Sequence, residues 1–160
     1  MPVEILGLVP FEIVKEPWNE YVIKDDEDVV LRGRLILSKM TRIRDPTDQK
    51  RMGIQVAPHP IWTTHSPPAL RGKASEKLPH PAEIAENEKK QVEVETRKET
   101  WNVYRVAEDK AELRLRLVVG RVYRALGHYA VDGEPYYLVD STVIAEVSKT
   151  DRSTIQAAGK

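Results

Sequence analysis

The stretch KEPWNEY at residues 15–21 returns as KETWNVY at residues 98–104. A chain that repeats itself at a fixed spacing is constrained to build one supersecondary unit twice. At an offset of 83 residues, Lys15, Glu16, Trp18, Asn19 and Tyr21 fall on Lys98, Glu99, Trp101, Asn102 and Tyr104, and Asp26 falls on Asp109. Dropping one residue in the acidic turn makes the offset 82. Leu31, Arg32, Arg34, Leu35 and Arg42 then meet Leu113, Arg114, Arg116, Leu117 and Arg124. Two of the three Trp residues take part, which makes coincidence a poor explanation.

The unit reads as strands. Leu113, Leu115 and Leu117 alternate with Arg114 and Arg116, the period of two of a half-buried strand. The leucines at 31, 35, 113, 115 and 117 are therefore expected inside, with Arg32, Arg34, Arg114 and Arg116 outside. Acidic turns, DDED and AED, join antiparallel neighbours. Pro17 takes the slot of Thr100, and a residue without an N–H belongs at a strand start or an edge. In HYAVDGEPYYLV, Asp132-Gly133 predicts a type I′ hairpin. DSTVIAEVS supplies another strand, whose counterpart MGIQVAPHPIW is interrupted by Pro58 and Pro60.

Residues 46–81 hold seven of the eleven prolines, a texture that does not sustain regular structure. Beyond them, PAEIAENEKK has proline first, acids early and lysines late, which predicts a short helix over 82–90. The reading is an all-β, mainly antiparallel fold built by internal duplication. A first β-repeat spans 1–63, a Pro-rich connector with the short helix 64–92, a second β-repeat 93–150 and a tail 151–160. Two units of this size form either tandem small barrels or the halves of one pseudo-two-fold barrel. The shared core is favoured because small units are marginal alone.

Lys plus Arg equals Asp plus Glu, 25 each, so no global field draws the chain to nucleic acid or an anionic membrane. With no cysteine, disulfides and thiolate chemistry are excluded. The apolar runs are too short to span a bilayer, and the N-terminus lacks the basic region of a signal peptide. The expected compartment is the cytoplasm, with no membrane partner. Scarce Asn and Gln, absent Cys and dense charge resemble the composition of thermophile proteins.

The candidate site is the pair of arginine stripes, Arg32, Arg34 and Arg42 in one copy and Arg114, Arg116 and Arg124 in the other. Arginine grips phosphate bidentately, and Tyr21 or Tyr104 nearby would give bases a stacking platform. The sharpest expectation is thus a non-enzymatic binding or adaptor protein for RNA or single-stranded DNA. Competing with it is a solvated strand face whose arginines pair with Glu16, Glu99 and the acidic turns. The alternatives for the whole chain are a structural subunit that self-associates through strand edges, and an enzyme of unidentified chemistry. In the Trp-Asn-x-Tyr motif, the expected arrangement is a core Trp, with Asn fixing a bend through the backbone. His59, His65, His80 and His128, with Asp45 and Asp48, match no metal-binding template, and the acidic turns lack a calcium-loop pattern. These turns read as solvated. No nucleophile, phosphate loop, catalytic residue, metal or cofactor is expected.

Overall fold

The computed structural model describes residues 3–45, 47 and 52–148, with 154–157 as backbone. Its strands are β1 (Glu4–Leu8), β2 (Glu12–Lys15), β3 (Trp18–Lys24), β4 (Asp28–Arg44), β5 (Met52–His65), β6 (Lys89–Lys98), β7 (Asn102–Val106), β8 (Ala111–Tyr129), β9 (Pro135–Val147) and β10 (Thr154–Ala157). The architecture is all-β and mainly antiparallel; only β10 runs parallel to its neighbour, β5. The path β10-β5-β4-β3-β6-β8-β7-β2, with β1 on β4 and β9 on β8, does not close on itself.

The pairing crosses between the two repeats. In the first, residues 4–15 form an arm whose start pairs with β4 and whose end pairs with β7. In the second, the arm is β6: its start pairs with β8 and its end with β3. The registers correspond residue by residue. Gly7 lies opposite Arg42 as Lys90 lies opposite Arg124, and Ile13 opposite Tyr104 as Thr96 lies opposite Tyr21. Even the slip of register between Ile13 and Lys15 has its match between Thr96 and Lys98.

Both apolar clusters mix the two repeats. One joins Leu35, Leu37, Met40, Ile54 and Val56 to Tyr104, Val106, Leu113, Leu115 and Leu117. The other joins Tyr21, Ile23, Val29 and Leu31 to Val92, Val122 and Tyr137. All five leucines expected inside are buried. Where the copies differ in size, the difference is complementary. Gly33 lies opposite Trp62, whose ring would meet an added Cβ at 2.3 Å, while the equivalent positions hold Leu115 opposite Ala145.

Several expectations are corrected. No α-helix forms over 82–90. The segment makes 3-10 turns at Pro81–Glu83 and Glu86–Glu88, and Lys89 already pairs with Ala125. A stretch this short cannot offset helix nucleation, and the sheet offers its backbone partners instead. Pro58 and Pro60 do not interrupt β5, which runs through them. Two residues apart, they share one side of the strand, and β10 covers only Gly53–Val56, so the missing N–H groups leave no ladder unpaired. At the hairpin, Gly133 alone has positive φ (+83°), and Ala130 N–H donates to Glu134 O at 2.8 Å. This is a three-residue loop with a glycine bulge rather than type I′; Asp132 is held by accepting the Glu134 N–H at 3.1 Å. Residues 154–157, inside the expected tail, add β10; 151–153 and 158–160 lie outside the described residues.

Leu117 is 1% exposed and touches side chains of both repeats. Leu117→Ala should lower unfolding stability by about 2–5 kcal/mol in a denaturant titration. A cost under about 0.5 kcal/mol would mean that the inward face is misassigned.

Candidate functional site

The arginine stripes lie on the outer face, each over a tryptophan. The Arg32 and Arg34 guanidiniums sit 5.0 and 5.9 Å from the Trp18 ring centroid, and those of Arg114 and Arg116 sit 4.8 and 5.0 Å from Trp101. Trp18 pairs directly with Arg34 across the ladder, which places the indole on the arginine side. The expected core Trp is thus overturned: Trp is on the outer face and Tyr is inside. Period two defines two faces, and the leucine side of β3 is the one that carries Asn19, Tyr21 and Ile23.

Most of the charge on the stripes has a partner. Arg34 lies 3.9 Å from Glu16, Arg116 3.8 Å from Glu99, and Arg114 3.3 Å from Glu146. Arg42 grips Asp109 with two bonds of 2.7 and 3.4 Å. Arg124 reaches Asp25 at 3.3 Å. Arg32 has its cation–π contact with Trp18 and lies across the ladder from Glu20, but among the described residues no carboxylate is within ion-pair distance of it. Tyr21 and Tyr104 are wholly buried, so neither offers a face on which a base could stack.

Inside, two reciprocal clusters bridge the repeats. Asn102 donates to the carbonyl oxygen of Leu35 at 2.6 Å and to the Tyr104 hydroxyl at 2.9 Å, and that hydroxyl donates to Glu16 at 2.7 Å. Asn19 donates to the carbonyl oxygen of Leu117 at 3.4 Å and accepts the Thr100 N–H at 3.1 Å; Tyr21 donates to Glu99 at 2.9 Å. Pro17, in the slot of Thr100, has no N–H to give Asn102. On that side Glu16 instead accepts the Leu37 N–H at 3.1 Å.

The acidic turns are not solvated throughout, contrary to expectation. The Asp25 side chain is fully buried, accepting from Lys90 at 3.0 Å and from the Tyr137 hydroxyl at 2.9 Å. Asp109 is 6% exposed. The offset of 83 matches Asp109 with Asp26, which is exposed, so the buried counterpart Asp25 is displaced by one residue from the visible signal; burial follows because Arg42 and Arg124 come from the opposite repeat. Sequence reading also missed Glu134, which is 3% exposed, accepts from the Ser66 hydroxyl at 2.7 Å and pairs with Arg71 at 2.9 Å. No spacing connects those three residues.

Among the described residues no group of three or more His, Asp or Glu is placed to hold a metal; Asp48 lies outside them. No helix among them is long and apolar enough to cross a membrane. No protein-family model matches the chain, and no curated protein or solved structure matches it.

Burial first, and then the facing carboxylate, push the Tyr21 and Tyr137 hydroxyls above their ordinary value; Tyr104 is raised by burial and Glu16 against the opposing Asn102. Burial would also raise Asp25, but Lys90, the Asp26 N–H, Tyr137 and Arg124 outweigh it and hold it below its ordinary 3.8. The signs follow by linkage. The tyrosine contribution is complete below the ordinary value of 10.0 and is lost as pH climbs from there towards the raised values. The Asp25 contribution is complete above 3.8 and is lost as pH falls through the lower folded value. Unfolding midpoints measured against pH should therefore fall beyond both limits. Tyr104→Phe should soften the alkaline loss; an unchanged alkaline limb would remove Tyr104 from its cause.

Proposed function

We propose that the chain is a non-enzymatic binding and assembly protein of the cytoplasm, a duplicated β-unit forming a pseudo-two-fold barrel, which pairs with a second copy of itself along β2. The duplication and the barrel are supported by the matched registers and by the reciprocal arms. The assembly rests on one asymmetry between those arms.

Both arms make equivalent pairings, but their exposed surfaces differ. Ile5, Leu6, Leu8, Ile13 and Val14 are 68, 38, 74, 52 and 45% exposed. At the offset of 83 their counterparts are Glu88, Lys89, Gln91, Thr96 and Arg97, every one polar. If the arms are equivalent copies, the fold does not require apolar residues there. An apolar strand at the end of a sheet is a template for further pairing. Among the described residues β2 pairs with β7 alone and ends the path. Its sequence, Glu-Ile-Val-Lys, puts two apolar residues at its centre. An antiparallel copy related by a two-fold axis perpendicular to the sheet brings Ile13 opposite the Ile13 of the second copy, a favourable apolar cross-strand pair. A net charge of zero adds no long-range repulsion between copies.

A second reading keeps single-stranded RNA or DNA as the partner, laid over the stripes. It is favoured by the half-buried Trp18 and Trp101, each beneath two guanidiniums. It is weakened by the burial of both tyrosines and by the carboxylates beside Arg34, Arg42, Arg114, Arg116 and Arg124.

The decisive experiment transplants the second arm's residues. Wild-type protein should sediment as a dimer, and Ile13→Thr with Val14→Arg should sediment as a monomer with an unchanged unfolding midpoint. A monomeric wild type, or a double variant that still dimerises, would refute pairing along β2. Binding of oligouridylate that weakens with salt, at a log–log slope of about −0.7 per phosphate neutralised, would favour the second reading.

A further inference from the structure

The same comparison between repeats isolates Arg32. In the second repeat Arg114 lies directly across the ladder from Glu146 and is ion-paired with it at 3.3 Å. In the first repeat Arg32 lies directly across from Thr63. The fold is equivalent at the two places: each arginine stacks on its tryptophan at 4.8–5.0 Å. What the first repeat lacks is a carboxylate on the β5 side; its cross-strand acid, Glu20, lies on the β3 side, where the second repeat has Val103, and forms no ion pair with Arg32 among the described residues.

Beside Arg32 is a cavity of about 330 Å³, within the size of small-ligand sites. It is lined by Val30, Arg32, Thr63, Thr64, His65, Arg71, Asp132 and Glu134, contributed by β4, β5, the connector and the β8–β9 loop. Its wall at Glu134 is tightly built. Glu134 accepts the Ser66 N–H at 3.1 Å and the Ser66 hydroxyl at 2.7 Å, and is ion-paired with Arg71 at 2.9 Å. Gly133, the glycine of the neighbouring turn, has its Cβ direction closed by the Gly72 carbonyl oxygen at 2.9 Å. The Glu134 charge is thus neutralised within the protein. Arg32 is left as the cation of the lining without an acid on its cavity side, beside Thr63, Thr64 and His65, and among the described residues neither it nor Asp132 forms an ion pair.

We propose that this cavity binds a small organic anion, its carboxylate or phosphate held by Arg32 and Thr63 where the second repeat supplies the Glu146 side chain. A planar guanidinium already fixed on an indole presents its free edge to an oxyanion with little further ordering. Asp132 calls for a ligand that also carries an amine or hydroxyl, because a bare anion would meet its charge unrelieved. The cavity is larger than one oxyanion and too small for a polymer chain, which favours a free metabolite over RNA.

The experiment follows the side-chain Nε–Hε signals of Arg32 and Arg114 by NMR. The probes are O-phosphoserine, inorganic phosphate and oligouridylate. O-phosphoserine should shift Arg32 saturably and leave Arg114 in place; inorganic phosphate should do the same more weakly. Arg32→Gln, followed by calorimetry, should weaken O-phosphoserine binding by about tenfold or more, the loss of one charge-assisted pair. Thr63→Glu restores the pair found in the other repeat. It should abolish the response of Arg32 with no loss of thermal stability, which separates blocked binding from misfolding. Equal, unsaturable shifts of both arginines would overturn the proposal. So would undiminished binding by Thr63→Glu, or a response to oligouridylate alone. None of these outcomes bears on dimerisation through β2.

Discussion

Asn102 spends its side-chain amide on the carbonyl oxygen of Leu35 and on the Tyr104 hydroxyl, and Tyr104 spends its own proton on Glu16. Asn102 and Tyr104 belong to the second repeat, and Leu35 and Glu16 to the first. The mirrored set, Asn19, Tyr21, Leu117 and Glu99, runs the other way. These groups are buried, and a buried polar group without its partner costs about 1–3 kcal/mol. Separating the halves would strand all of them at once. It would also strand Asp25 and Asp109, whose arginine partners come from the opposite repeat. Interdependence of the halves is therefore electrostatic and stereochemical as well as hydrophobic. It explains why both apolar clusters draw on both repeats, and why a unit of some 60 residues, marginal in isolation, need not be stable alone.

A repeat so tied together also acts as its own control. Wherever the halves agree, the residue serves the shared architecture: Trp under two arginines, Asn on a carbonyl, the register slip in each arm. Wherever they disagree without changing the backbone, the architecture is not the cause. Gly33 with Trp62, against Leu115 with Ala145, is a disagreement that conserves packing and needs no other account. Ile13 and Val14 against Thr96 and Arg97, and Thr63 against Glu146, change what the surface offers instead. One exposes apolar side chains on an edge, and the other leaves a guanidinium beside a cavity.

The all-β, mainly antiparallel class was legible because strand periodicity is a local signal. Leu113, Leu115 and Leu117 alternate with arginine, and the alternation placed every predicted leucine inside. It could not say which aromatic accompanied them, since Trp18 and Tyr21 stand on opposite faces and either ring is large enough for a core. That choice is made by β4, which sets Trp18 opposite Arg34. The prolines of β5 misled for a related reason: a proline breaks a strand only where its N–H is wanted, and that depends on which strand lies alongside. The acidic turn looked solvated because its partners, Lys90, Arg124 and Tyr137, are supplied from 65 to 112 residues away. Of the site, the stripes were legible, while the cavity was not, because its lining is gathered from four separate parts of the chain.

The arginine stripes resemble spare positive charge in the sequence, but nearly all of that charge is used within the protein. Each Trp face carries two guanidiniums, a contact worth about 0.5–1 kcal/mol at an exposed site. The adjoining glutamates reduce what remains for phosphate. A polyanion would have to displace Glu16, Glu99 and Glu146, and recover in new contacts what those pairs and their hydration already supply. Arg32, which has Glu20 across from it on β3 but no ion pair among the described residues, meets a ligand on its β5 side with the least of that competition. A single such cation, set in a cavity rather than along a groove, suits recognition of one anionic group and not of a backbone with repeating charge. The electrostatics thus fit the two proposed tasks: a discrete polar site at one end of β4 and β5, and a strand edge at β2 whose Glu12 and Lys15 leave it without net charge.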